Sequence, residues 1–566
     1  MTVADDPYAA SVPWRVTGLL ADADLTAADV HVARRLGAIG GDDDERVLLA
    51  AALAVQALRA GSVCVVLDET SVPQPDGWHD AIRRSPLVAD GPDGPADRPL
   101  RWVDGRLYLD RYWRDEQTVR EAMHDRLART AAADPVALTS AVDRLYPSAT
   151  DAAQREALRT AATSHLMVLT GGPGTGKTTT VARLVAALQA AAGPGLRVAL
   201  AAPTGKAAAR LQESVNAEVA LLGPADVDAV GSLRATTLHR LLGWRPGTTT
   251  RFRHDRLRRL PHDVVVVDES SMVSLPLMAR LVEALRPTAR LVLVGDPDQL
   301  ASVEAGAVLG DLVAALPRGV VRLTQAHRYG PALGALAEAI RLGDAETAVA
   351  LLRSGDAHRS WVEPAAERLS PQDVAGLRAD VEAGADALVA AARAGDAPAA
   401  LRALGSHRLL LAHREGPFGV AHWAATAESW IGTGAGQWPL GRPLLVTQND
   451  RASGLYNGDT GVVVADGTGG VAVAFGEPDD PRLVRPYRLP AVQPVHAMTV
   501  HRGQGSQFAR VTLLLPPATS PLLSRELLYT AVTRAREHVR VIGTEDAIRA
   551  AIERPVRRAS GLREAR

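Results

Sequence analysis

Gly171, Gly172, Pro173, Gly174, Thr175, Gly176, Lys177 and Thr178 follow one another, and this run constrains the chain more than any other segment. Just before it, Leu166-Met-Val-Leu169 reads as a short buried strand. After it, Val181, Leu184, Val185 and Leu188 recur at helical spacing. In a strand–glycine loop–helix unit, the loop's backbone N–H groups and the positive end of the helix dipole converge on phosphate oxygens. Lys177 then reaches the β- and γ-phosphates of a nucleotide, and Thr178 binds Mg²⁺. A glycine turn that binds nothing would need neither the lysine, nor the threonine, nor both flanking elements. By itself the loop predicts nucleoside triphosphate binding and nothing finer.

The rest of the composition narrows the setting. At 566 residues the chain holds three or four domains, at roughly 150 residues each. Hydrophobic content of 47% and charge of 22% are those of a soluble globular protein. The longest apolar segment near the N-terminus, Val47 to Leu58, is interrupted by Gln56 and falls short of the roughly 18 to 20 residues of a membrane span. No transmembrane helix is expected. Asp5 and Asp6 stand where a secretory signal carries basic residues, so no cleaved leader is expected either. The single cysteine, Cys64, excludes an internal disulfide and a thiolate metal site, and its valine neighbours predict a buried strand residue. All this points to the cytoplasm. With 63 Lys plus Arg against 64 Asp plus Glu, the chain has no bulk attraction to a polyanion. Any nucleic-acid site must be a local groove.

Residues 1 to about 85 are alanine-rich and helical in pattern, with a solvated acidic run at Asp42 to Glu45. Pro86 to Pro99 reads as a surface loop. Arg106 to Trp113 predicts a strand followed by an aromatic cluster, then helices to about Pro147. From Asp151 to about Tyr329, strands at Leu166–Leu169, Arg197–Ala201, Val264–Val267 and Leu291–Val294 alternate with helices, which argues for a parallel sheet covered on both faces. Residues from about 335 to 405 are again helical. A second β/α alternation runs from Arg408–Leu411 through Val511–Leu515 to Val539–Ile542. It is interrupted by Leu455–Val464 and Val471–Phe475, whose Asn457-Gly458 and Asp466-Gly467 turns predict a small β-barrel. The expected units are an N-terminal helical domain over 1–110, a first motor domain over 111–335 and a second over 336–566, with the β insert at about 441–490.

The chemistry clusters at strand ends. Val264-Val-Val-Val267 runs into Asp268 and Glu269, where Asp268 would hold the metal through water and Glu269 would polarise an attacking water. Leu291–Val294 ends in Gly295-Asp-Pro-Asp-Gln-Leu300, which places Gln299 where an amide could sense the γ-phosphate. Transition-state charge requires arginine, worth about 10³ to 10⁵ in rate, or about 4 to 7 kcal/mol. Arg328 and Arg534 stand in suggestive settings, and Arg536, two residues on, leaves the choice open by spacing alone.

Taken in order, Ala202–Ala208, Thr237–Leu242, Asp268–Met272, Gly295–Leu300, Ala497–Gly505 and Tyr529–Arg536 resemble the successive motifs of superfamily 1 DNA helicases. Within that superfamily the chain is similar to the RecD family, the alpha subunits of exodeoxyribonuclease V, the RecBCD enzyme. Arg106–Trp113, Gly306–Asp311 and Arg414–Val420 favour this family over its stand-alone relatives, and the likeness covers about residue 100 to the C-terminus. The resemblance implies an α/β fold of two RecA-like P-loop motor domains with parallel sheets, a helical N-terminal domain and an SH3-like insert. It implies ATP as fuel, with Gln154 reading adenine, and Arg328 and Arg534 as the two arginine fingers. Pro203, Thr204, His239, Thr499 and His501 would grip single-stranded DNA. It further implies 5′ to 3′ helicase polarity, DNA ends as substrate, RecB-like and RecC-like partners, and a role in double-strand break repair by homologous recombination. Many members of the superfamily carry glutamate at a ribose-associated position where this chain has Gln507. An amide still hydrogen-bonds a hydroxyl, without the charge.

Three readings compete. A helicase subunit of an end-processing complex leads; a stand-alone helicase would need no partners; a structural subunit with a vestigial ATP site is opposed by Lys177, Asp268, Glu269, Gln299 and Arg534. No nuclease cluster of carboxylates and lysine is visible, so exonuclease action is expected from a RecB-like partner. Residues 1 to about 110 are the expected docking region for a RecC-like subunit. Trp102, Tyr108, Tyr112 and Trp113 are read as core or interface, while Trp244 and Phe252 divide evenly between packing and base stacking.

Overall fold

Six parallel strands carry the glycine loop in a computed structural model. It describes residues 25–564 apart from 194, 246–250, 325–330, 366–367, 433–435, 451–452 and 490. Their order across the sheet is Val320–Leu323, Leu166–Gly171, Arg290–Gly295, Val264–Val267, Val198–Ala202 and Ala235–Thr237. Helices cover both faces, so the central strands read as unbroken apolar runs, and Val264 to Val267 are wholly buried. Two edge strands, Val320–Leu323 and Ala235–Thr237, are additional to the four expected. They are short, and Thr236, Thr237 and Arg322 break the apolar run that marks the others.

This strand order positions the chemistry. Strand Arg290–Gly295 lies between the strand entering the glycine loop and the strand ending at Asp268, so Asp296 and Gln299 emerge between the two. Ligands of open α/β sheets bind outside the carboxyl ends of the strands. Among the described residues, every candidate of the first sheet stands at or after such an end except Gln154, whose helix precedes strand Leu166–Gly171.

A second parallel sheet runs Arg359–Val362, Ala535–Ile542, Phe508–Leu514, His407–Leu411 and Ala497–Thr499. Between its fourth and fifth strands in space, the chain departs into an antiparallel sheet ordered Asp480–Val484, Val471–Glu477, Thr460–Ala465, Pro443–Val446 and Val492–Pro494. Phe475, Val463 and Val473 fill its core. The insert leaves and re-enters beside the paired strands His407–Leu411 and Ala497–Thr499, so both its ends are anchored on the second sheet.

The N-terminal region combines helices with a sheet. Helices Ala27–Gly40 and Glu45–Arg59 pack on four short strands ordered Cys64–Val66, Arg106–Leu109, Leu100–Val103 and Val88–Asp90. Helix Glu45–Arg59 starts at Asp44, whose side chain accepts the Arg46 N–H at 2.9 Å, and buries every residue from Val47 to Val55. Cys64 is a buried strand residue, as its neighbours suggest. Trp102 and Tyr108 are buried, and Trp113 carries the Arg101 guanidinium 4.3 Å above its ring, so this aromatic group is core. Tyr112 and Trp113 lie on helix Asp110–Ala128, which begins directly at the end of strand Arg106–Leu109.

The C-terminal tail returns across the whole chain. After helix Glu545–Glu553, which packs on helices Ala345–Ser354 and Arg525–Val532, the Ala559 N–H donates to Ser62 Oγ at 3.2 Å, and its carbonyl accepts the Val63 N–H at 2.8 Å. Arg558 donates to the carbonyls of Ser302, Glu304 and Gly306, and the Gly561 N–H donates to Glu116 Oε2 at 2.9 Å. Arg563 approaches Asp311 at 3.5 Å and Arg106 pairs with Glu564. Thus Arg106–Trp113 and Gly306–Asp311, two of the segments that mark the family resemblance, form the receptor of this tail.

Candidate active site

The glycine loop is shaped by positions where a side chain would not fit. Gly174 and Gly176 have φ of 77° and 83°, a region that strains other residues. A Cβ on Gly171 would lie 2.6 Å from Thr175 Oγ1 and 2.7 Å from the Leu323 carbonyl. Lys177 Nζ donates to the Gly171 and Gly172 carbonyls at 2.6 and 2.8 Å. The ammonium is therefore held at the loop's mouth, where it can exchange carbonyls for phosphate oxygens.

Asp268 follows the buried strand and is only 7% exposed. Its Oδ2 accepts from Thr178 Oγ1 at 3.4 Å, and its Oδ1 accepts the Glu269 N–H at 2.9 Å. Burial, and after it the charge of Glu269, raises its pKa above the ordinary carboxylate value. The Lys177 charge and the Thr178 hydroxyl offset this only in part, and Thr178 and Asp268 are the residues that would hold a divalent cation, which would supply further positive charge there. Among the described residues no group of three His, Cys, Asp or Glu could hold a metal alone. That fits Mg²⁺, which takes one or two protein ligands and completes its shell with water and phosphate. Glu269 sits at φ 50°, and with Asp104 it is one of two non-glycine residues with positive φ among the described residues. Strain of about 1 to 3 kcal/mol at such a position persists where the surroundings impose it, and here it turns the carboxylate toward the loop side of the sheet.

The two sheets meet at Asp296–Leu300. Gln299 Nε2 donates to Asp296 Oδ2 at 2.9 Å, and Tyr529 Oη donates to the same oxygen at 3.1 Å. Gln299 Oε1 accepts from Arg534 Nη2 at 3.0 Å. Arg534, 3% exposed, also donates to the Thr530 and Ser506 carbonyls. The Leu300 N–H donates to Thr530 Oγ1 at 2.9 Å, and Gln504 Nε2 donates to the Leu300 carbonyl at 2.7 Å. Side chains of both sheets thus line one narrow cavity with Lys177, Thr178, Asp268, Glu269, Gln299, Gln507 and Arg534 on its walls.

Gln507 has a partner that spacing did not reveal. Its Oε1 accepts from Arg210 Nη2 at 3.3 Å, and Arg210 also donates to the Gly505 carbonyl. Arg210 belongs to helix Gly205–Val219 of the first sheet, so this is a second contact across the cleft. Gln154 is buried in helix Ala152–Thr163 and does not line the cavity. Arg328 lies outside the described residues. Asp296, Tyr529 and Thr530 were within quoted motifs but carried no individual role; their signal was the motif itself. Arg210 had no signal at all.

The candidate nucleic-acid residues divide into two groups. Pro203 and Thr204 follow strand Val198–Ala202, and His239 follows the adjacent strand Ala235–Thr237, with Ala202 paired to Thr237. The Thr204 hydroxyl accepts the Ala207 N–H at 3.2 Å and so starts the next helix. Against that helix start sits the insert: a Cβ on Gly205 would lie 2.5 Å from Tyr456 Cγ, and half-buried Lys206 reaches the Gly458 carbonyl at 3.5 Å. Burial pulls the Lys206 ammonium down to about 8. Phe252 lies 5.9 Å from the His239 ring and bridges to Trp244, so this pair belongs to the His239 surface. Thr499 ends its strand in the second sheet and its hydroxyl accepts the Arg502 N–H at 3.3 Å. Burial, then the charges of Arg558 and Arg414, lower the His501 pKa below its ordinary value.

Comparison with known proteins follows the same layout. Residues 149–360 match an AAA domain, residues 494–542 a UvrD-like helicase C-terminal domain, and residues 22–75 the N-terminal domain of the RecBCD enzyme subunit RecD. The RecBCD enzyme subunit RecD of Mycolicibacterium smegmatis is 52% identical, over 95% of this chain and 97% of that protein. That of Mycobacterium tuberculosis strain H37Rv is 50% identical over 100% and 98%. The ATP-dependent RecD2 DNA helicase of Deinococcus radiodurans is 33% identical over 82% of this chain and 59% of that protein. Among the described residues no helix is long and apolar enough to cross a membrane.

Proposed function

The chain belongs to the RecD family of RecBCD enzyme subunits, and we propose that it is the ATP-driven, 5′ to 3′ DNA helicase subunit of such a complex. In this reading it assembles with RecB-like and RecC-like partners in the cytoplasm and unwinds DNA ends during double-strand break repair by homologous recombination. One observation carries it: Gln299 of the first sheet and Arg534 of the second meet at 3.0 Å inside the cavity that holds Lys177. A phosphate in that cavity touches two bodies at once, so its presence and loss favour different separations of them.

Each residue then has a task. The glycine loop and Lys177 bind the β- and γ-phosphates, and Thr178 with Asp268 would hold Mg²⁺, which supplies charge neutralisation on the phosphates when bound. Glu269 orients and polarises the attacking water. Gln299 senses the γ-phosphate, and Arg534, with Arg328 as second finger, places positive charge where it develops in the transition state. Gln154, buried outside the cavity lining, keeps the adenine-reading role only as the family resemblance implies it. Pro203, Thr204 and His239 grip the DNA strand from the first motor domain, and Thr499 and His501 from the second. Closure and opening of the cleft move one grip past the other. Residues 1 to about 110 dock the RecC-like partner, and the match of residues 22–75 to the RecD N-terminal domain supports that context over a stand-alone helicase.

Co-purification from the native source, followed by unwinding of 5′- and 3′-tailed duplexes, tests partners and polarity together. Copurifying RecB-like and RecC-like chains, with 5′-tailed unwinding lost in Lys177→Gln, are expected. Processive unwinding by the chain alone would favour the stand-alone reading, and 3′-tailed preference dependent on Lys177 would overturn the polarity.

A further inference from the structure

A run of arginines leaves the DNA-facing surface and ends in a pocket that the motor does not use. Arg251, Arg253, Arg256, Arg258 and Arg259 fall within one short segment that begins beside Phe252, and Phe252 faces His239. The segment descends the flank of the first sheet. The Arg253 N–H bonds the Gly243 carbonyl, and the Leu260 N–H bonds the Ala284 carbonyl at the amino-terminal ends of the strands, opposite the nucleotide. There the segment meets helices Asp110–Ala128 and Leu275–Ala284 around a cavity of about 260 Å³, lined by Arg126, Arg129, Arg256 and Arg259.

These guanidinium groups lack ionic partners among the described residues. Arg126 is 5% exposed, donates only to the Ala122 carbonyl, and leaves its buried Nε without a partner. Arg129 donates to the Pro287 carbonyl, and Arg259 to those of Glu283 and Leu285. Carboxylates of Glu121, Asp125 and Glu283 line the same cavity, yet Glu283 pairs with Arg280, and none is bonded to the four arginines. Burial, then the like charges of Arg129 and Arg259, lowers Arg126 toward about 10. The same field reaches His165: after burial, Arg290, Arg129 and Arg126 hold its pKa down. The four arginines outnumber the three carboxylates of the lining, so like charges face one another, and a buried guanidinium with an unbonded N–H costs more than an exposed one. A phosphate oxyanion answers both, because the guanidinium fork matches its geometry bidentately.

We propose that this pocket is a second DNA-backbone site, in which Arg126, Arg129, Arg256 and Arg259 hold a phosphodiester of DNA that has passed the His239 surface. The proposal rests on the helicase reading and extends the path of the DNA beyond the motor cleft. Continuity of the arginine run with Phe252 and His239 favours nucleic acid over an acidic partner segment. The cavity has room for a phosphate and its sugar, not for a stacked base pair, so recognition is of backbone and independent of sequence.

The test uses the full chain with Arg129, Arg256 and Arg259 replaced by glutamine, all three being exposed, and Arg126→Lys separately, with melting curves for each. Affinity is measured against salt for a short single strand that fills only the motor groove, a longer single strand and a tailed duplex. Each backbone contact contributes about 0.9 to the slope of log K against log salt on duplex and about 0.7 on single strands. The slope should fall by about one to three for the longer ligands and stay unchanged for the short strand. A fall confined to the tailed duplex assigns duplex backbone, and a fall on both assigns single-strand backbone. DNA-stimulated ATPase on the short strand should match wild type; if wild type itself lacks that activity, the helicase reading fails rather than this site. Unchanged slopes on every ligand would overturn the proposal. So would unchanged DNA binding with weakened partner assembly, which would make the pocket an acidic-peptide site, or protection by inorganic phosphate alone.

Discussion

Gln299 Oε1 accepts a hydrogen bond from Arg534 Nη2 at 3.0 Å, although the two residues belong to different sheets. Because Gln299 Nε2 is engaged by Asp296, the amide has a fixed orientation and presents one acceptor to the second sheet. The arginine is thereby held beside the Gln299 amide, on the wall of the cavity that Lys177 lines.

Replacing Arg534 with alanine should lower DNA-stimulated kcat for ATP by about 10³ or more, while nucleotide affinity changes far less. Arg534→Lys should stay low, since one ammonium cannot span Gln299, the Thr530 carbonyl and the Ser506 carbonyl together. Steady-state ATPase with a fluorescent nucleotide titration reads both quantities. Wild-type turnover in either variant would remove Arg534 from the mechanism.

The Arg210–Gln507 contact offers a different handle. A carboxylate in Gln507→Glu would meet the Arg210 guanidinium across the cleft and hold it closed by roughly 1 kcal/mol more, lowering kcat about fivefold through slower opening. Adding Arg210→Met should restore turnover. If instead KM for ATP falls with kcat unchanged, the side chain at 507 serves the ribose and not the latch.

Gly561 tests the C-terminal tail. A Cβ there would lie 2.6 Å from both Glu116 Oε1 and Tyr108 Oη, each held in buried surroundings. Gly561→Ala should therefore cost about 1 to 3 kcal/mol and be relieved by release of the tail. Carboxypeptidase digestion should accelerate at the C-terminus while ATP binding is retained. Equal digestion rates would show that the tail accommodates the methyl group in place.

Acid should loosen the second sheet. Burial lowers His407 and His538 to about 4, and their ring nitrogens meet hydroxyls, Thr512 Oγ1 and Ser360 Oγ respectively. Their ordinary value is 6.5. Between the two values the unfolded chain binds more protons than the folded one, so stability falls as pH drops through that window and is steady above it. Each group contributes a slope of at most ~1.4 kcal/mol per pH unit. Urea midpoints followed by tryptophan fluorescence should decline across this range, and His407→Asn should flatten the decline. A flat wild-type profile would contradict the assignment.

Much of this layout was legible because its signals are local. A loop that must approach phosphate needs glycine at fixed positions, and a strand buried on both faces must be apolar throughout, so Gly171–Thr178 and Val264–Val267 announce themselves. Short edge strands such as Ala235–Thr237 carry no such demand, and the N-terminal sheet is built from strands of three or four residues scattered between helices and loops. Contacts between distant segments were the least visible. Arg210 looks like any helix-surface arginine until the second sheet brings Gln507 to it. Likewise, Arg126 reads as one more charge on an amphipathic helix until Arg256 and Arg259 close over it. The tail's receptor segments, Arg106–Trp113 and Gly306–Asp311, stood out by family likeness, without a local physical reason for their presence.

That tail has a bearing on how the protein is made. Ala559 and Ser62 are bonded although 497 residues separate them, and the Val63 N–H, just before the strand that begins at Cys64, is satisfied by the Ala559 carbonyl. Domains of a growing chain fold in the order in which they emerge, at about 5 to 20 residues per second. The N-terminal unit must then wait on the order of half a minute or more, by that rate, with its Ser62–Val63 edge and the surroundings of Glu116 uncovered. A ribosome that stops short of Arg558 releases a chain whose early part is left unfinished, so an early unit reports whether the segment Arg558–Gly561 was made.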